Sequence, residues 1–338
     1  MKKFEVVKSI YGDFTVTEPI LLDLINSAAV QRLKGVYQFG ITHYVQKFAP
    51  YTRYEHSIGV FALLRRYGCS LEEQISGLLH DASHTVFSHV ADYLFGSDSA
   101  KNSYQDTIHH WFLEKTDVPQ IIAKYGYTLD DFMHKSGSFM ALEQDLPNLC
   151  ADRIEYTLYE YAMSLGLENS ELVKYKIEHF LQHLYFDGIK WYFDDNRVAR
   201  EYANLALIFT KERWASDKAM YTYTMAARML QRALDIGLID YDTIHFGTDD
   251  VVWEKLKNST DQELQDYLDK VCHCVNAYRL SGINDYNLHL KGKFRGVDPY
   301  VKTIEGLRLL SELDDQFAKE FYLLKELVQQ GVYIKNLM

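Results

Sequence analysis

The chain has 338 residues, with 36 Lys and Arg against 47 Asp and Glu, so its formal charge at pH 7 is −11. This acidic balance argues against nucleic acid as a partner, although it is compatible with a local basic pocket for a small phosphate. Apolar residues make up 47% of the chain, and no apolar run reaches the roughly 18 residues that a membrane span requires. The four cysteines do not suggest a disulfide framework, and the start of the chain is a poor secretory signal, so we expect a cytoplasmic protein.

The first part of the chain predicts a hairpin followed by helices. Residues 1–18 alternate apolar and polar side chains around a Tyr-Gly-Asp turn, which predicts a short β-hairpin. From Pro19 to Gly40 the apolar residues recur at helical spacing. Thr52 and Glu55 have the spacing of a capping box, so a helix is expected to begin near Thr52.

The stretch 71–95 predicts two helices or one broken helix, with the break at Ser83-His84-Thr85. Most of the remaining chain has the periodicity of amphipathic helices. These are predicted over 104–115, 118–125, 147–166, 170–186, 196–210, 217–236, 260–280 and 299–330. Short strand-like pieces are expected near 188–194 and 284–297.

The fold class expected from these elements is mainly α. The predicted organisation is an N-terminal β-hairpin (1–18), a helical core (19–166) and a helical C-terminal region (167–338) packed on that core. No segment rich in Gly, Ser or Pro separates the last two regions.

Two imidazoles and two carboxylates stand in contexts that suit a metal site. His80 and Asp81 are adjacent, His56 precedes them and Asp152 follows. Divalent Mn, Fe, Ni and Zn accept this ligand set. On a continuous helix His84 would share a face with His80 and Asp81, so we expect the helix faces to form the site.

The motifs that carry these residues resemble one known family. They are SIYGDFTVTEPILLDLINSAAVQRLKGVYQFG, TRYEHSIGVFALL, GLLHDASHTVFSHVAD and ADRIEY, in that order. Together they are similar to the dNTP triphosphohydrolase-like branch of the HD-domain metal-dependent phosphohydrolases, over about residues 8 to 166. The helical core is therefore expected to be an HD domain.

The resemblance implies a role for each matching residue. It implies a metal site formed by His56, His80, Asp81 and Asp152, catalytic roles for Arg53, His84, His89 and Asp92, and a substrate pocket lined by Gln38, Phe39, Arg153, Tyr156 and Glu160. The cofactor would be one divalent ion of Mn, Fe, Ni, Zn or Mg. In this interpretation His89 protonates the leaving oxygen, while Asp92 keeps it cationic and oriented.

Departures from the family pattern leave alternatives open. The family's His-Glu pair is absent at residues 103–106, and His109 or His110 might replace it. A second metal ion could draw on His84, His109, His110 or His134. Cys272-His273-Cys274 lacks the spacing of a structural zinc site, so we do not expect one there.

Three functions remain compatible with the sequence. The first is hydrolysis of a nucleotide, with a dNTP as one candidate substrate. The second is a phosphatase or phosphodiesterase acting on another small phosphate. The third is a non-catalytic nucleotide-binding HD protein, which the presence of all four ligand positions disfavours. The family analogy also predicts a homo-oligomer.

Overall fold

The chain is mainly α-helical, as predicted. The computed structural model describes residues 4–46, 49–96, 103–133 and 138–337. The helices of its first half are α1 (Pro19–Ile25), α2 (Ala28–Arg32), α3 (Thr42–Val45), α4 (Arg53–Arg66), α5 (Leu71–Leu79), α6 (Val90–Leu94), α7 (Tyr104–Glu114), α8 (Val118–Ala123) and α9 (Ala151–Leu165). Those that follow are α10 (Ser170–Leu181), α11 (Asn196–Phe209), α12 (Asp217–Asp235), α13 (Tyr241–Phe246), α14 (Asp249–Lys257), α15 (Gln262–Cys272), α16 (Cys274–Ala277), α17 (Leu310–Leu313) and α18 (Asp315–Gln330).

Short strands form three small sheets. The strands are β1 (Glu5–Val7), β2 (Phe14–Val16), β3 (Leu184–Phe186), β4 (Trp191–Phe193), β5 (Tyr278–Ser281), β6 (Leu288–Leu290), β7 (Tyr300–Thr303), β8 (Gly306–Leu309) and β9 (Val332–Asn336). Antiparallel β1 and β2 form the predicted hairpin, with Val6 opposite Thr15. The second sheet has the order β3-β4-β7-β8 and the third the order β5-β9-β6.

Helix α4 lies between two hydrophobic cores. The predicted capping box starts it, because the Thr52 side chain accepts from the Glu55 N–H and Glu55 accepts from the Thr52 N–H. Val60 and Leu63 contribute to a core that also contains residues of α9, α11, β4 and α18. Ile58 and Phe61 contribute to another core, under the hairpin, α1 and α5. Burial on both faces places the first turn of α4, which carries His56, inside the protein.

The break after α5 is longer than predicted. Helix α5 ends at Leu79, and turns continue until α6 begins at Val90. His80, Asp81 and His84 therefore do not share a helix face, and that expectation is wrong. Arg32 stabilises this non-helical path, because its guanidinium donates to backbone carbonyls released at the helix end, including that of His84.

Other helix boundaries also differ from the prediction: α10 ends at Leu181 and not at residue 186, and the stretch 260–280 contains α15, α16 and the start of β5. Helix α9 begins at Ala151 rather than at residue 147. The stretch 299–314 is not the start of a long helix but the hairpin of β7 and β8 followed by α17. Gly306 has a φ of +117°, a conformation that only glycine adopts readily, and it allows the chain to turn between these strands.

Candidate metal centre and substrate cleft

The four predicted metal ligands lie close together, and the donor atoms of three of them, His56, His80 and Asp152, lie within 4.8 Å of one another. Nε2 of His56 lies 3.0 Å from Oδ1 of Asp152 and 3.2 Å from Nε2 of His80. The two oxygens of Asp81 face one imidazole each, with Oδ1 at 3.5 Å from His80 Nε2 and Oδ2 at 3.5 Å from His56 Nε2. The cluster joins the first turn of α4, the end of α5 and the first turn of α9, which lie far apart in the sequence.

The donor atoms of this cluster fit a divalent cation. The Nδ1–H of His80 donates to the Gly77 carbonyl at 2.7 Å, and that of His56 donates to the Glu155 carboxylate. Both imidazoles therefore turn their Nε2 atoms toward the carboxylates. Such second partners are typical of metal-binding histidines, because they select the tautomer and orient the ring. A mixed set of two nitrogens and two carboxylates suits a first-row divalent metal.

Glu155 is a part of this centre that the sequence analysis did not identify. It is fully buried on α9, and one of its oxygens accepts from both His56 and the Tyr51 hydroxyl, the latter at 2.5 Å. Its approach to α4 requires Gly59, because a Cβ there would collide with the Glu155 carboxylate. Burial disfavours a charged imidazole, but Glu155, Asp152 and Asp81 together raise the pKa of His56 to about 10.

Arg53 connects the metal cluster to the neighbouring cleft. It is 3% exposed, and its Nη1 lies 2.6 Å from Oδ2 of Asp81. Although burial acts to raise the pKa of Asp81, the Arg53 guanidinium and the adjacent histidines hold it well below its usual range. Nε of Arg53 donates to Ser88 Oγ, and its Nη2 lies 3.4 Å from Nε2 of His89.

His84 lies beside Asp81 rather than in the open cleft. Its Nε2 is 3.2 Å from Oδ1 of Asp81, and the residue is buried. Burial and the Arg53 guanidinium lower the pKa of His84 to about 3, so the imidazole is neutral near pH 7. A neutral ring in this position can donate one hydrogen bond to Asp81 and thereby orient the carboxylate.

His89 and Asp92 form a pair at the edge of the cleft. Nδ1 of His89 lies 3.2 Å from Oδ2 of Asp92, whose Oδ1 accepts from the Tyr104 N–H at 2.7 Å. Two guanidiniums, those of Arg53 and Arg295, each place an Nη2 at 3.4 Å from Nε2 of His89. Burial is the main cause that lowers the pKa of His89; the hydrogen bond to Asp92 acts to raise it, and Arg295 and Arg53 act to lower it. The role of Asp92 in keeping this histidine cationic stays a prediction.

The turn that presents His89 has an unusual backbone and is supported by the C-terminal half of the chain. Phe87 and Ser88 have φ values of +59° and +52°, which side-chain-bearing residues seldom adopt. Asp249, at the start of α14, accepts from the Phe87 N–H at 2.8 Å and from the Tyr37 N–H at 2.9 Å. It is buried, and this raises its pKa to about 7. One carboxylate thus connects the His89 turn to the segment that bears Gln38.

A cleft of about 190 Å³ adjoins His89 and Asp92. Its walls include Gln38, Phe39 and Tyr156 from the predicted substrate set. The π-helical turn Thr210–Trp214 and α12 add aromatic rings, among them Trp214, whose centroid lies 5.0 Å from that of Tyr156. This part of the C-terminal region therefore forms one wall of the cleft.

Two predicted substrate residues are bound to other side chains. The buried Glu160 accepts from Arg213 Nη1 and from Trp214 Nε1, both at 2.6 Å, and burial raises its pKa to about 7. Arg153 is paired with Glu143 at 3.1 Å and is not among the residues that line the cleft. In this structure Glu160 orients two residues of the wall, and Arg153 lies behind it.

The additional histidines divide into three cases. Nδ1 of His109 lies 2.8 Å from Ser83 Oγ, and burial together with His80 lowers the pKa of His109 to about 4. His110 is nearly half exposed and faces the surface carboxylates of Glu114 and Asp130. His134 lies outside the described residues.

Comparisons with known proteins agree with this geometry. The HD domain family matches residues 53–126, which contain three of the four converging ligands. The chain is 31% identical to the uncharacterized protein YdhJ of Bacillus subtilis over 98% of this chain and 99% of that protein. It is 32% identical to the metal-dependent phosphohydrolase cns2 of Cordyceps militaris, over 75% of this chain and 73% of that one. The deoxynucleoside triphosphate triphosphohydrolase SAMHD1 of Bos taurus is 36% identical, but only over 23% of this chain and 16% of that protein.

The fold is also found among solved structures. A phosphohydrolase from Bacteroides thetaiotaomicron superposes with a TM-score of 0.66 at 14% identity, covering 92% of this chain and 95% of that one. A hypothetical protein from Aquifex aeolicus reaches a TM-score of 0.67 at 16% identity, covering 98% of this chain and 95% of that one.

The fold and the comparisons define a mainly helical hydrolase, and its clustered histidines and carboxylates fit a divalent metal ion. More particularly, the chain belongs to the HD-domain metal-dependent phosphohydrolase family. None of the helices in the described ranges has the length and apolar character needed to cross a bilayer.

Proposed function

We propose that this protein hydrolyses a nucleotide or a related small phosphoester in the cleft beside His56, His80, Asp81 and Asp152, which together would hold a divalent ion. One observation carries the proposal: Arg53 contacts both Asp81 of this cluster and His89 of the His89–Asp92 pair. Arg53 thus joins the metal cluster to an acid–base candidate that lines the cleft. When bound, a divalent ion supplies Lewis acidity, which stabilises charge on the phosphoryl group and makes water a better nucleophile at neutral pH.

The residues of the chain would bind the phosphoryl group and donate a proton to the leaving oxygen. The guanidiniums of Arg53 and Arg295 converge on His89, so an anion placed there would be bound by both. A phosphate dianion would also offset the positive potential that lowers the pKa of His89 and would favour its protonated form. His89 could then donate its Nε2 proton to the leaving oxygen, while Asp92 orients the ring.

The rest of the cleft supports a nucleoside as the leaving group. Phe39, Tyr156 and Trp214 present aromatic surface against which a base or a sugar can pack. Oε1 of Gln38 is buried and has no hydrogen-bond partner among the described residues, so it is available to accept from a ligand hydroxyl or amino group.

The alternatives differ in substrate or in catalysis. The likeness to SAMHD1 covers less than a quarter of the chain, so a dNTP is one candidate among several. A phosphatase or phosphodiesterase would use the same centre on another small phosphate. A non-catalytic nucleotide-binding protein would keep the cleft without turnover. The cytoplasmic location stays a prediction from the cysteine usage of the chain, and the homo-oligomer stays a prediction to be checked by light scattering.

A substrate panel tests this function. Purified protein is loaded in turn with Mn, Fe, Ni, Co, Zn or Mg and offered dNTPs, NTPs, nucleoside monophosphates, cyclic nucleotides and nitrophenyl phosphate. We expect metal-dependent release of phosphate, pyrophosphate or triphosphate from at least one nucleotide. Hydrolysis of only non-nucleotide esters would support the phosphatase alternative. Nucleotide binding without turnover under every metal would support the non-catalytic alternative.

A further inference from the structure

Three cations of the C-terminal region line the cleft without carboxylate partners. Lys291, Lys293 and Arg295, which we call the cationic strip, belong to the connection between β6 and β7 and line the cleft. Within the ranges that the structure describes, no carboxylate oxygen lies within 4.0 Å of any of the three, whereas other arginines near the site are paired with carboxylates. The paired arginines are Arg53 with Asp81, Arg153 with Glu143 and Arg213 with Glu160.

The alternation of side chains explains why the strip faces one way. In an extended segment successive side chains point to opposite sides, so residues 291, 293 and 295 share a side. Phe294 points to the other side, where its ring packs edge-on against Phe321 with centroids 5.1 Å apart. The hydrophobic contact of one residue thus turns its cationic neighbours toward the cleft.

The segment is held by close packing at both ends. A Cβ on Gly292 would lie 2.7 Å from the Ala215 Cβ, so only glycine allows the backbone to approach the start of α12 this closely. Further along, the buried Asp298 accepts from the Ser311 N–H at 2.9 Å and its own N–H donates to the Pro147 carbonyl at 2.9 Å. The backbone that carries these cations is therefore fixed by packing and hydrogen bonds.

We propose that Lys291 and Lys293 of the cationic strip bind a second anionic group of the substrate, next to the phosphoryl group that Arg53 and Arg295 would bind. This inference rests on the proposed function, and it narrows the substrate class to nucleotides that carry at least two phosphates. Three positive charges in one wall repel one another, and a polyanion offsets more of that repulsion than a monophosphate does. In a chain of net charge −11, such an unneutralised patch is a local exception.

The test compares matched substrates in matched variants. The nucleotide that is hydrolysed fastest in the panel identifies the preferred nucleoside. The monophosphate, diphosphate, triphosphate and 3′,5′-bisphosphate of that nucleoside are then supplied to the metal-loaded protein. Lys291→Gln/Lys293→Gln removes two charges at the cleft mouth without altering Arg295, which contacts His89. Lys174→Gln/Lys255→Gln removes the same charge from exposed positions on α10 and α14 and serves as the control.

We expect kcat/KM of the wild type to favour substrates with two or more phosphates over the monophosphate. In the strip variant that preference should be roughly tenfold smaller, mainly through a higher KM for the substrates with two or more phosphates. The reason is that each substitution removes one charge-assisted contact with the substrate at a solvated cleft mouth. The control variant should keep the preference of the wild type. An unchanged preference in the strip variant, or a wild-type preference for the monophosphate, would overturn the proposal.

A binding measurement separates this inference from the proposed function. If no nucleotide in the panel is hydrolysed, the proposed function fails, and calorimetric binding of inorganic pyrophosphate to the same three proteins decides about the strip. Binding at least about fivefold weaker in the strip variant than in the control would support an anion subsite. Equal binding in the two variants would refute it.

Discussion

The two sides of the cleft differ in how their charges are balanced. On the HD side, acidic and basic groups are interleaved: Asp81 contacts Arg53 and His84, and Glu155 contacts His56. On the C-terminal side, no carboxylate oxygen of the described residues lies within 4.0 Å of the cationic strip, and Asp92 and Asp106 act on Lys293 only at longer range. Interleaved charges preserve a fixed arrangement, whereas an unbalanced patch gains most from a charged ligand. We infer that the HD side performs the reaction and that the C-terminal side selects the substrate.

The largest expected effect on the HD side of the cleft comes from a substitution in the metal cluster. His80→Ala removes one of two imidazoles and is expected to abolish both tight metal binding and hydrolysis. Metal content by mass spectrometry and turnover on the best substrate provide the measurements. His110→Ala, which removes a surface histidine, is the control and should retain both. Full occupancy and full activity in His80→Ala would contradict the assignment.

The second prediction separates metal binding from proton transfer on the same side. His89→Ala should keep the metal content of the wild type but lower kcat by about 100-fold, the usual contribution of a general acid. The substrate with the poorest leaving group should show the greatest loss. Equal turnover in wild type and variant would remove His89 from the mechanism.

A smaller effect is expected from the residue behind His56. Glu155→Gln retains the shape of the side chain but replaces a carboxylate acceptor by an amide, so metal affinity should fall by about 10- to 100-fold. Saturating metal should restore most of the activity, because the four ligands remain. Competition with a fluorescent chelator measures the affinity, and an unchanged value would show that Glu155 does not support the site.

The mildest prediction concerns a C-terminal residue that acts on the HD side. Asp249→Asn places an amide where two backbone N–H groups need acceptors, so one hydrogen bond to the Phe87 or Tyr37 backbone is lost. We expect kcat to fall by roughly tenfold with metal affinity unchanged. Asp250→Asn is the control, because Asp250 accepts from the Tyr44 hydroxyl and contacts neither backbone group.

The pH dependence of the Asp249 variant gives a sharper readout. Burial raises the pKa of Asp249 to about 7, so the wild type gains a proton there as the pH falls through neutrality. A protonated oxygen, like the amide, is a poor acceptor for a backbone N–H. The ratio of wild-type to Asp249→Asn activity should therefore be largest above pH 7 and approach one at lower pH. A constant ratio between pH 5.5 and 8.5 would exclude this role.

Local signals in the sequence were sufficient for much of the HD side. The Thr52–Glu55 capping box correctly predicted the start of α4, and the alternation of residues 1–18 predicted the hairpin. The convergence of the four ligands is visible in the structure, although their roles and the boundaries at 18 and 166 stay predictions. A break was predicted at residues 83–85, but its beginning at His80 was missed because His80–Leu94 has helical periodicity. The hydrogen bonds from Arg32 and to Asp249 that stabilise the break come from distant parts of the chain.

The C-terminal side was less predictable for physical reasons. Residues 299–314 contain enough regularly spaced Leu and Val to resemble a helix, but pairing of β7 with both β4 and β8 decides their conformation. Such long-range pairing leaves no trace in a local window. A strand-like piece was predicted near 284–297, and β6 (Leu288–Leu290) lies within it. The position of residues 291–295 at the cleft depends on packing of Gly292 and Phe294 that no motif encodes.

The core that contains Val60 of α4 and Phe321 of α18 has an evolutionary consequence. One apolar cluster supports both the ligand-bearing helix and the segment that presents the cations. A substitution in this cluster that displaces one side of the cleft therefore also affects the other side. A new specificity is more accessible through exchanges at the solvated cleft mouth, where Lys291 and Lys293 lie, than through repacking beneath them. In this architecture, diversification of substrate can proceed while the reacting centre is inherited intact.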